Sequence, residues 1–361
     1  MNALLKRLQT AGSVKQASVL SSSLFFNEKE QIPTEIPIIN LALSAKVDGG
    51  LSSGLTFLAG PSKHFKSLLG LMLVKAYLKK YEDSICIFYD SEFGITPEYI
   101  STNGIDTNRV LHVPIEHLEQ LKFDISKRLD EIKRGDKVII FVDSVGNLAS
   151  KKEVEDALDE KSVADMSRAR VMKSLWRIVT PHLTTKDIPC IAVNHTYQTM
   201  EMFSKSVMSG GTGGMYSANQ VFIIGKSQEK EGSELTGFNF TINIEKSRFV
   251  REKSKFPFTI TFNGGINKYS GLIDIALELG FLAKPKQGFY SKVNIETGEV
   301  EEKLYRAKAT NNGEFWKPIL ESDSFKDAVY KRYAISSGSI LVDEDVEKEF
   351  AKIEEVEVEN E

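Results

Sequence analysis

The chain has 361 residues, of which 41% are hydrophobic and 27% are charged, a composition typical of a folded globular protein. It contains no run of 18 apolar residues, and its N-terminus lacks the apolar core of a signal peptide, so we expect no membrane span and a cytoplasmic protein. Cys86 and Cys190 both fall in predicted buried strands, which favours small core residues over a disulfide or a metal pair.

A predicted strand, loop and helix follow an N-terminal region, residues 1–34, that we expect to form a short helix and an extended linker. Gly54–Ala59 is apolar and β-prone, and apolar residues recur at helical spacing over residues 68–77. Between them, Gly-Pro-Ser-Lys-His-Phe-Lys-Ser fits the pattern G-x-x-x-x-G-K-[ST] except that Phe65 replaces the second glycine. This order is that of a phosphate-binding P-loop, because loop N–H groups and a helix N-terminus then face the phosphates.

The loop supplies candidates for nucleotide binding, namely Gly60, Pro61, Ser62, Lys63, His64, Phe65, Lys66 and Ser67. Lys66 is predicted to reach the β- and γ-phosphates of ATP, and the Ser67 hydroxyl to hold Mg²⁺. His64 has no predicted role of its own. The alternative is a Ser/Lys-rich turn without a ligand, and the missing glycine is the feature that favours it.

Two further strands are predicted to end in carboxylates at the same edge of a sheet. Residues 85–89 lead to Glu92, and residues 138–142 lead to Asp143. Ligands bind at the carboxyl ends of parallel strands, so Asp143 is a candidate to hold Mg²⁺ and Glu92 to orient the water that attacks the γ-phosphate. Alternatively, Glu92 is a solvated loop acid and Asp143 an ordinary residue after a buried strand.

The fourth predicted strand, Pro189–Asn194, is followed by His195, and two candidate loops lie beside these strand ends. Residues 147–165 are rich in charge of both signs and include Lys151 and Lys152. Residues 196–217 place apolar side chains next to glycines, which suits wedging between the bases of a single strand. Candidates in this second loop are Tyr197, Met202, Phe203, Lys205, Gly210 and Gly211. The alternative is a lid or interface loop without a DNA role.

These segments, in this order, resemble the ATPase core of RecA-family recombinases, and are most similar to the phage, UvsX-type branch. The resemblance rests on residues 60–67, 90–99, 138–144, 191–195, 245–248 and 263–266, and spans roughly residues 35–320. It implies a RecA-like α/β fold with a doubly wound, mostly parallel sheet, as the alternation of strands and helices also indicates. It also implies ATP and Mg²⁺ as cofactors.

The resemblance implies roles for several side chains. Tyr99 falls where the family stacks an aromatic ring on adenine, and His195 where it has a glutamine that senses the γ-phosphate. Lys246 and Arg248 fall where the family presents two cations to the ATP of the neighbouring subunit; a basic surface strand is the alternative. The two candidate loops take the positions of the family's DNA-binding loops. Arg168 and Arg170, on the helix after the first loop, are either phosphate contacts or a solvated helix face.

The C-terminal quarter is predicted to hold a small module and an acidic tail. Residues 268–342 read as a small α/β module after the core at 35–267, with a helix over residues 272–279 and Gly280 as its cap. Residues 343–361 carry ten acids and two lysines, so residues 1–342 have a net charge of +4 although the whole chain has −4. We expect this tail to be solvated and disordered, to compete with DNA for the basic body, or to recruit a partner.

The sequence therefore indicates an ATP-dependent recombination protein that forms a helical filament on single-stranded DNA and exchanges strands with double-stranded DNA. Expected partners are further copies of the chain, a single-strand-binding protein and a recombination mediator. A RecA-fold ring helicase is one alternative, although residues 1–34 are too few for the helical domain that such helicases usually carry. A non-catalytic ATP-binding mediator is the other, because Phe65 is bulky enough to displace the loop.

Overall fold

A computed structural model describes residues 3–14, 17–23, 30–159, 167–199, 206–295 and 297–335. The described residues build a nine-stranded sheet in the order β11-β10-β9-β8-β1-β5-β4-β2-β3. Its strands are β1 (Gly54–Ala59), β2 (Ile85–Asp90), β3 (Val110–Pro114), β4 (Val138–Asp143), β5 (Pro189–Asn194), β8 (Gln220–Glu231), β9 (Glu234–Lys246), β10 (Lys255–Thr261) and β11 (Gly265–Ile266). In this order, neighbouring strands from β8 through β1, β5, β4 and β2 to β3 are parallel. Neighbouring strands from β8 through β9 and β10 to β11 are antiparallel.

Helices cover both faces of this sheet, so it is doubly wound. The helices before the C-terminal sheet are α1 (Ala3–Ala11), α2 (Pro37–Ser44), α3 (Lys66–Lys80), α4 (Pro97–Thr102), α5 (Leu118–Glu131), α6 (Lys151–Leu158), α7 (Ser167–Lys186) and α8 (Thr212–Ser217). Helix α3 packs in one apolar cluster with α2, while α5 and α7 pack in a second cluster. Side chains of β1 alternate between the clusters, because successive residues of a strand point to opposite faces. The predicted α/β fold with a mostly parallel sheet is confirmed.

The long antiparallel hairpin of β8 and β9 extends the sheet beside the P-loop. Strand β8 runs parallel to β1 from Thr56 to Ala59 and continues past the point where β1 ends. Its C-terminal half and the start of β9 therefore lie next to the loop that follows β1. This arrangement brings side chains from residues 226–240 next to residues 62–68 of the P-loop and the start of α3.

A small C-terminal sheet with its helices follows the large sheet. It consists of β12 (Leu282–Lys286), β13 (Phe289–Lys292) and β14 (Tyr305–Arg306), with α9 (Leu272–Glu278), α10 (Gly313–Glu321) and α11 (Asp323–Tyr333). The predicted helix at 272–279 is confirmed, and Gly280 has φ 77°, as a helix cap of this type requires. Trp316 and Phe325 share one apolar cluster with Phe256 of the large sheet, so the boundary at residue 267 stays a prediction.

Two predictions of irregular loops are wrong in part. The first segment contains α6, because Ser150 accepts a hydrogen bond from the Glu153 N–H while the Glu153 carboxylate accepts one from the Ser150 N–H. The second contains α8 and a short hairpin of β6 (Thr196–Gln198) and β7 (Ser206–Met208). Residues 160–166, 200–205 and the tail beyond 335 lie outside the described residues, and with them Met202, Phe203 and Lys205.

The N-terminal region begins with the predicted short helix. In α1 the apolar side chains Leu4, Leu5 and Leu8 are all exposed, and none of its residues is buried. Glu30, in the linker that follows, forms an ion pair of 2.5 Å with Lys80 of α3. None of the helices in the described ranges is long and apolar enough to cross a membrane.

Candidate nucleotide site

The P-loop leaves β1 and enters α3 at Lys66, as the sequence predicts. Phe65 has φ 63°, a left-handed conformation that disfavours a residue with a side chain. Its ring packs against Phe240 and Phe258, with centroids 5.3 and 5.6 Å away. Aromatic packing on the neighbouring strands thus offsets the strain of the missing glycine and leaves Lys66 and Ser67 at the start of the helix.

Lys66 is buried, and its Nζ atom donates a hydrogen bond of 2.7 Å to the Pro61 carbonyl. Burial lowers the pKa of this ammonium group, while the nearby Glu92 and Asp143 carboxylates act in the opposite direction. The side chain therefore folds back over its own loop.

A cavity of about 410 Å³ opens over this loop. Its described lining residues are Ser62, Lys63, His64, Phe65, Lys66, Ser67, Leu68, Glu92, Tyr99, Val193, His195, Lys226, Phe238 and Phe240. Tyr99 lies on α4 and is 42% exposed, so its ring is available for stacking. The cavity combines cations, backbone N–H groups and aromatic rings, which is the chemistry that recognises a nucleoside polyphosphate.

Glu92 lies at the carboxyl edge of the sheet and is held by the residues that follow β4. Its Oε1 atom accepts hydrogen bonds from Ser144 Oγ at 2.6 Å and from Asn147 Nδ2 at 2.9 Å. The turn that carries it is closed by Asp90, whose carboxylate accepts from the N–H groups of Glu92 and Phe93. Glu92 is therefore a positioned carboxylate that faces the P-loop cavity.

His195 completes the group at the end of β5. Its Nε2 atom lies 3.4 Å from Glu92 Oε1, yet no hydrogen bond links these atoms. Gly146 lies so close to the ring that a β-carbon there would be 2.4 Å from His195 Cδ2. The imidazole thus lies between the Glu92 carboxylate and the start of the first candidate loop.

Asp143 ends β4 and pairs in register with Asp90 of β2. It is buried, its Oδ1 atom has no hydrogen-bond partner among the described residues, and its carboxylate lies near the Ser67 hydroxyl. Burial raises the pKa of Asp143 to about 6, and the Glu92 and Asp90 charges add to this shift. An orphaned buried oxygen beside a serine hydroxyl fits the oxygen ligands that Mg²⁺ prefers.

We expect Asp143→Asn to stabilise the protein without nucleotide. The pKa is raised from 3.8 to about 6 in the folded state, so the native state binds this proton more tightly than the unfolded state does. The stability of the wild-type protein therefore falls as pH rises from 3.8 to 6. Above pH 6 the buried Asp143 carboxylate is charged, and the fold bears the full loss of stability that this charge causes. Urea denaturation at pH 7.5 should show a gain of about 1–2 kcal/mol.

The gain should largely vanish at pH 4, where wild-type Asp143 is protonated. Asp90→Asn is the matched control at the paired strand end. It should bring no gain in stability, because the amide oxygen still accepts from the same two backbone N–H groups but lacks the charge that strengthens these bonds. A loss of stability in Asp143→Asn at pH 7.5 would show that its carboxylate is structural.

Lys246 and Arg248 lie away from the P-loop of their own chain. The Lys246 Nζ atom donates to the carbonyls of Met215 and Tyr216 at 2.8 and 3.0 Å, and burial lowers its pKa, with the Arg248 charge adding to the effect. Arg248 is exposed. Neither is among the described residues that line the nucleotide cavity, so contact with ATP bound to the same chain receives no support.

The candidate DNA contacts fall into two groups. Lys151, Lys152 and Arg170 are exposed, as is Tyr197, whereas Arg168 is engaged. The Arg168 guanidinium donates to the carbonyls of Val145, Gly146 and Leu148 at 2.8 to 3.2 Å.

The glycines of the second loop have an unusual backbone conformation, and Gly210 lies near this arginine. Gly210 and Gly211 have φ of 90° and 77°, and a β-carbon on Gly210 would lie 3.9 Å from the Arg168 Nη1 atom. Both values lie in the left-handed region that favours glycine. Arg168 is therefore bonded to the root of the first candidate loop and lies near Gly210 of the second.

Sequence reasoning did not find several residues of the site. Ser144 and Asn147 follow Asp143 directly, and their polar side chains at a strand end were a usable signal. The sequence contained no such signal for Lys226, Phe238 and Phe240. A lysine and two phenylalanines in a β hairpin look like ordinary strand residues until the hairpin is placed beside the P-loop.

Comparison with known proteins agrees with this geometry. The family model for the RecA N-terminal domain matches residues 20–267, and that for the C-terminal domain of the bacteriophage T4 recombination and repair protein matches residues 269–329. The "Recombination and repair protein" of Enterobacteria phage T4 is 56% identical over 353 residues, 97% of this chain and 90% of that relative. "Protein RecA" of Cutibacterium acnes is 26% identical over 277 residues, 76% of each chain. The P-loop, Glu92 and both candidate loops lie inside the first matched region.

Proposed function

This chain belongs to the RecA family of recombination proteins, and from that premise we propose that it is an ATP-driven DNA strand-exchange protein acting in recombination, repair and replication. Its copies assemble head to tail into a helical filament on single-stranded DNA, because a heterologous interface that does not close generates a helix. The filament pairs its bound single strand with homologous double-stranded DNA. ATP hydrolysis then releases the protein from the DNA.

The observation that carries the proposal is the connection of Glu92 to both candidate DNA loops. Its carboxylate is hydrogen-bonded to Ser144 and Asn147 at the root of the first loop and adjoins His195 at the root of the second. A ligand that orders either loop therefore changes the position of the group proposed to orient water. This coupling is what a DNA-dependent ATPase needs.

The roles in hydrolysis follow from the cavity. Glu92 orients and deprotonates the attacking water, Lys66 balances charge on the β- and γ-phosphates, and the loop N–H groups hold the polyphosphate. Ser67 and Asp143 would hold Mg²⁺, which neutralises phosphate charge when bound. Tyr99 stacks on the base, and His195 senses the γ-phosphate.

The remaining roles join neighbouring subunits and DNA. Lys246 and Arg248 reach the ATP of the adjacent subunit, and the exposed leucines of α1 pack on that subunit. Lys151, Lys152, Arg170 and Tyr197 contact DNA from the two loops, while Arg168 holds the root of the first loop in place. We further propose a cytoplasmic location, Mg²⁺ as cofactor, and a single-strand-binding protein and a mediator as partners.

We expect single-stranded DNA to stimulate ATP turnover strongly at low salt and weakly at high salt, because phosphate contacts weaken as counterions compete. The measurement is steady-state ATP hydrolysis with and without single strands at two salt concentrations, with Glu92→Gln as the blank for contaminating ATPases. Turnover that is indifferent to DNA at both salt concentrations would refute the coupling between the P-loop and the loops. Unwinding without strand exchange would instead identify a helicase.

A further inference from the structure

Lys226 is a basic side chain of the nucleotide cavity that the roles above do not use. It lies in β8, beyond the last residue that pairs with β1, and it lines the cavity together with Lys63 and Lys66. No part of the P-loop pattern points to this position, because it reaches the loop only through the hairpin that continues the sheet.

Two contacts hold the ammonium group of Lys226 at the loop. Its Nζ atom donates a hydrogen bond of 3.3 Å to the Lys63 carbonyl, in the middle of the P-loop. The same atom lies 3.7 Å from the ring centroid of Phe238 and 5.9 Å from that of Phe240. A cation over the face of an aromatic ring is attracted by the ring quadrupole, so both contacts fix the charge beside the loop backbone.

No carboxylate balances this charge within the described part of the chain. Lys226 forms no ion pair there, and Glu92 is the single acid among the described residues that line the cavity. Glu229, three residues further along β8, is engaged with the Asn239 side chain. An ammonium group has three donors, of which the Lys63 carbonyl takes one. The other two N–H donors of Lys226 are suited to an anionic oxygen bound at the P-loop.

We propose that Lys226 is a nucleotide-binding residue that donates to the polyphosphate of ATP from the hairpin side of the P-loop. The inference rests on the proposed function, since it needs ATP at this loop. Lys66 approaches the phosphates from the start of α3, and Lys226 supplies a second cation from another element of the same chain. Charge-assisted hydrogen bonds of this kind are stronger than neutral ones, so its loss should be visible in affinity.

The test compares Lys226→Met, which removes the charge and keeps a linear side chain against the rings, with Lys226→Arg, which keeps the charge. Lys230→Met is the matched control, because Lys230 is an exposed lysine of the same strand outside the cavity lining. Binding of ATP and of inorganic tripolyphosphate is measured by calorimetry, and the stability of each variant without ligand by thermal denaturation.

We expect Lys226→Met to bind ATP and tripolyphosphate about tenfold more weakly, which corresponds to about 1.4 kcal/mol. Lys226→Arg should retain most of the affinity, and Lys230→Met should stay within about twofold of the wild type because isolated surface charges contribute little. Thermal denaturation without ligand should be unchanged in Lys226→Met, so the loss does not come from a weakened fold.

Three results would overturn the inference. One is wild-type affinity in Lys226→Met, and another is a loss of affinity that accompanies an equal loss of stability without ligand. The third is weaker binding of ATP with unchanged binding of tripolyphosphate, since Lys226 would then act on the base or sugar. Failure of the wild type to bind ATP at all would instead refute the proposed function, so the two failures are distinguishable.

Discussion

ATP hydrolysis is expected to fall about 10²- to 10⁴-fold when Glu92 is replaced by glutamine, while ATP binding persists. The amide oxygen of glutamine still accepts from Ser144 and Asn147, so the local structure is kept and only the basic carboxylate is lost. Because release from DNA follows hydrolysis in the proposed cycle, the variant should stay bound to single-stranded DNA in the presence of ATP.

The measurement is ATP turnover together with dissociation of the protein from labelled single strands after an excess of competitor DNA is added. Glu98→Gln, the same chemical change at an exposed acid of α4, is the control and should turn over and dissociate like the wild type. Rapid release of Glu92→Gln from DNA in ATP would contradict the role given to this carboxylate.

A second large loss of ATP turnover is expected when Lys66 is replaced by alanine. Lys66→Ala removes the ammonium group that lies near both Glu92 and Asp143, so these two carboxylates face the phosphates uncompensated. Turnover should drop by at least about 10²- to 10³-fold, as when other preorganised charges are removed from a transition state. ATP should also cease to raise the temperature of thermal unfolding, because a ligand stabilises only the state that binds it.

Lys75→Ala serves as the control for Lys66→Ala, since Lys75 is a lysine of the same helix α3 that does not line the nucleotide cavity. It should retain turnover and the shift on ATP addition. Turnover near the wild-type level in Lys66→Ala would mean that the segment 60–67 is a turn without a phosphate role, which is the alternative that the missing glycine leaves open.

The structure shows that Phe65 is compatible with a P-loop, although the sequence pattern counted against it. From the sequence, a bulky residue at a glycine position weakened the P-loop pattern and favoured a non-catalytic protein. In the fold its ring packs on Phe240 and Phe258, and Lys66 still begins α3. The aromatic partners come from β9 and β10, far along the chain, so no local pattern could reveal that the substitution is compensated.

Arg168 illustrates the same limit for the DNA loops. Its position on the helix after the first loop made a phosphate contact and a solvated face equally reasonable. The structure engages its guanidinium with three backbone carbonyls at the loop root. Those carbonyls belong to an irregular segment whose course depends on how β4 and β5 pack, and hydrophobic periodicity contains no information about it.

The sequence by itself determined the strand, loop and helix of the P-loop, the strand ends that carry Glu92, Asp143 and His195, and the doubly wound class of the fold. These features follow from short apolar runs and the residues directly after them, because β-strands and helix starts depend on local side-chain patterns. Only the tertiary structure decided that Glu92 is hydrogen-bonded to the root of the first loop and adjoins His195 at the root of the second. It also decided that Phe65 packs on Phe240 and Phe258, and that Lys226 adjoins the P-loop. Each of these contacts joins segments distant in sequence, and their approach depends on strand order and register in the sheet, which a local pattern does not specify.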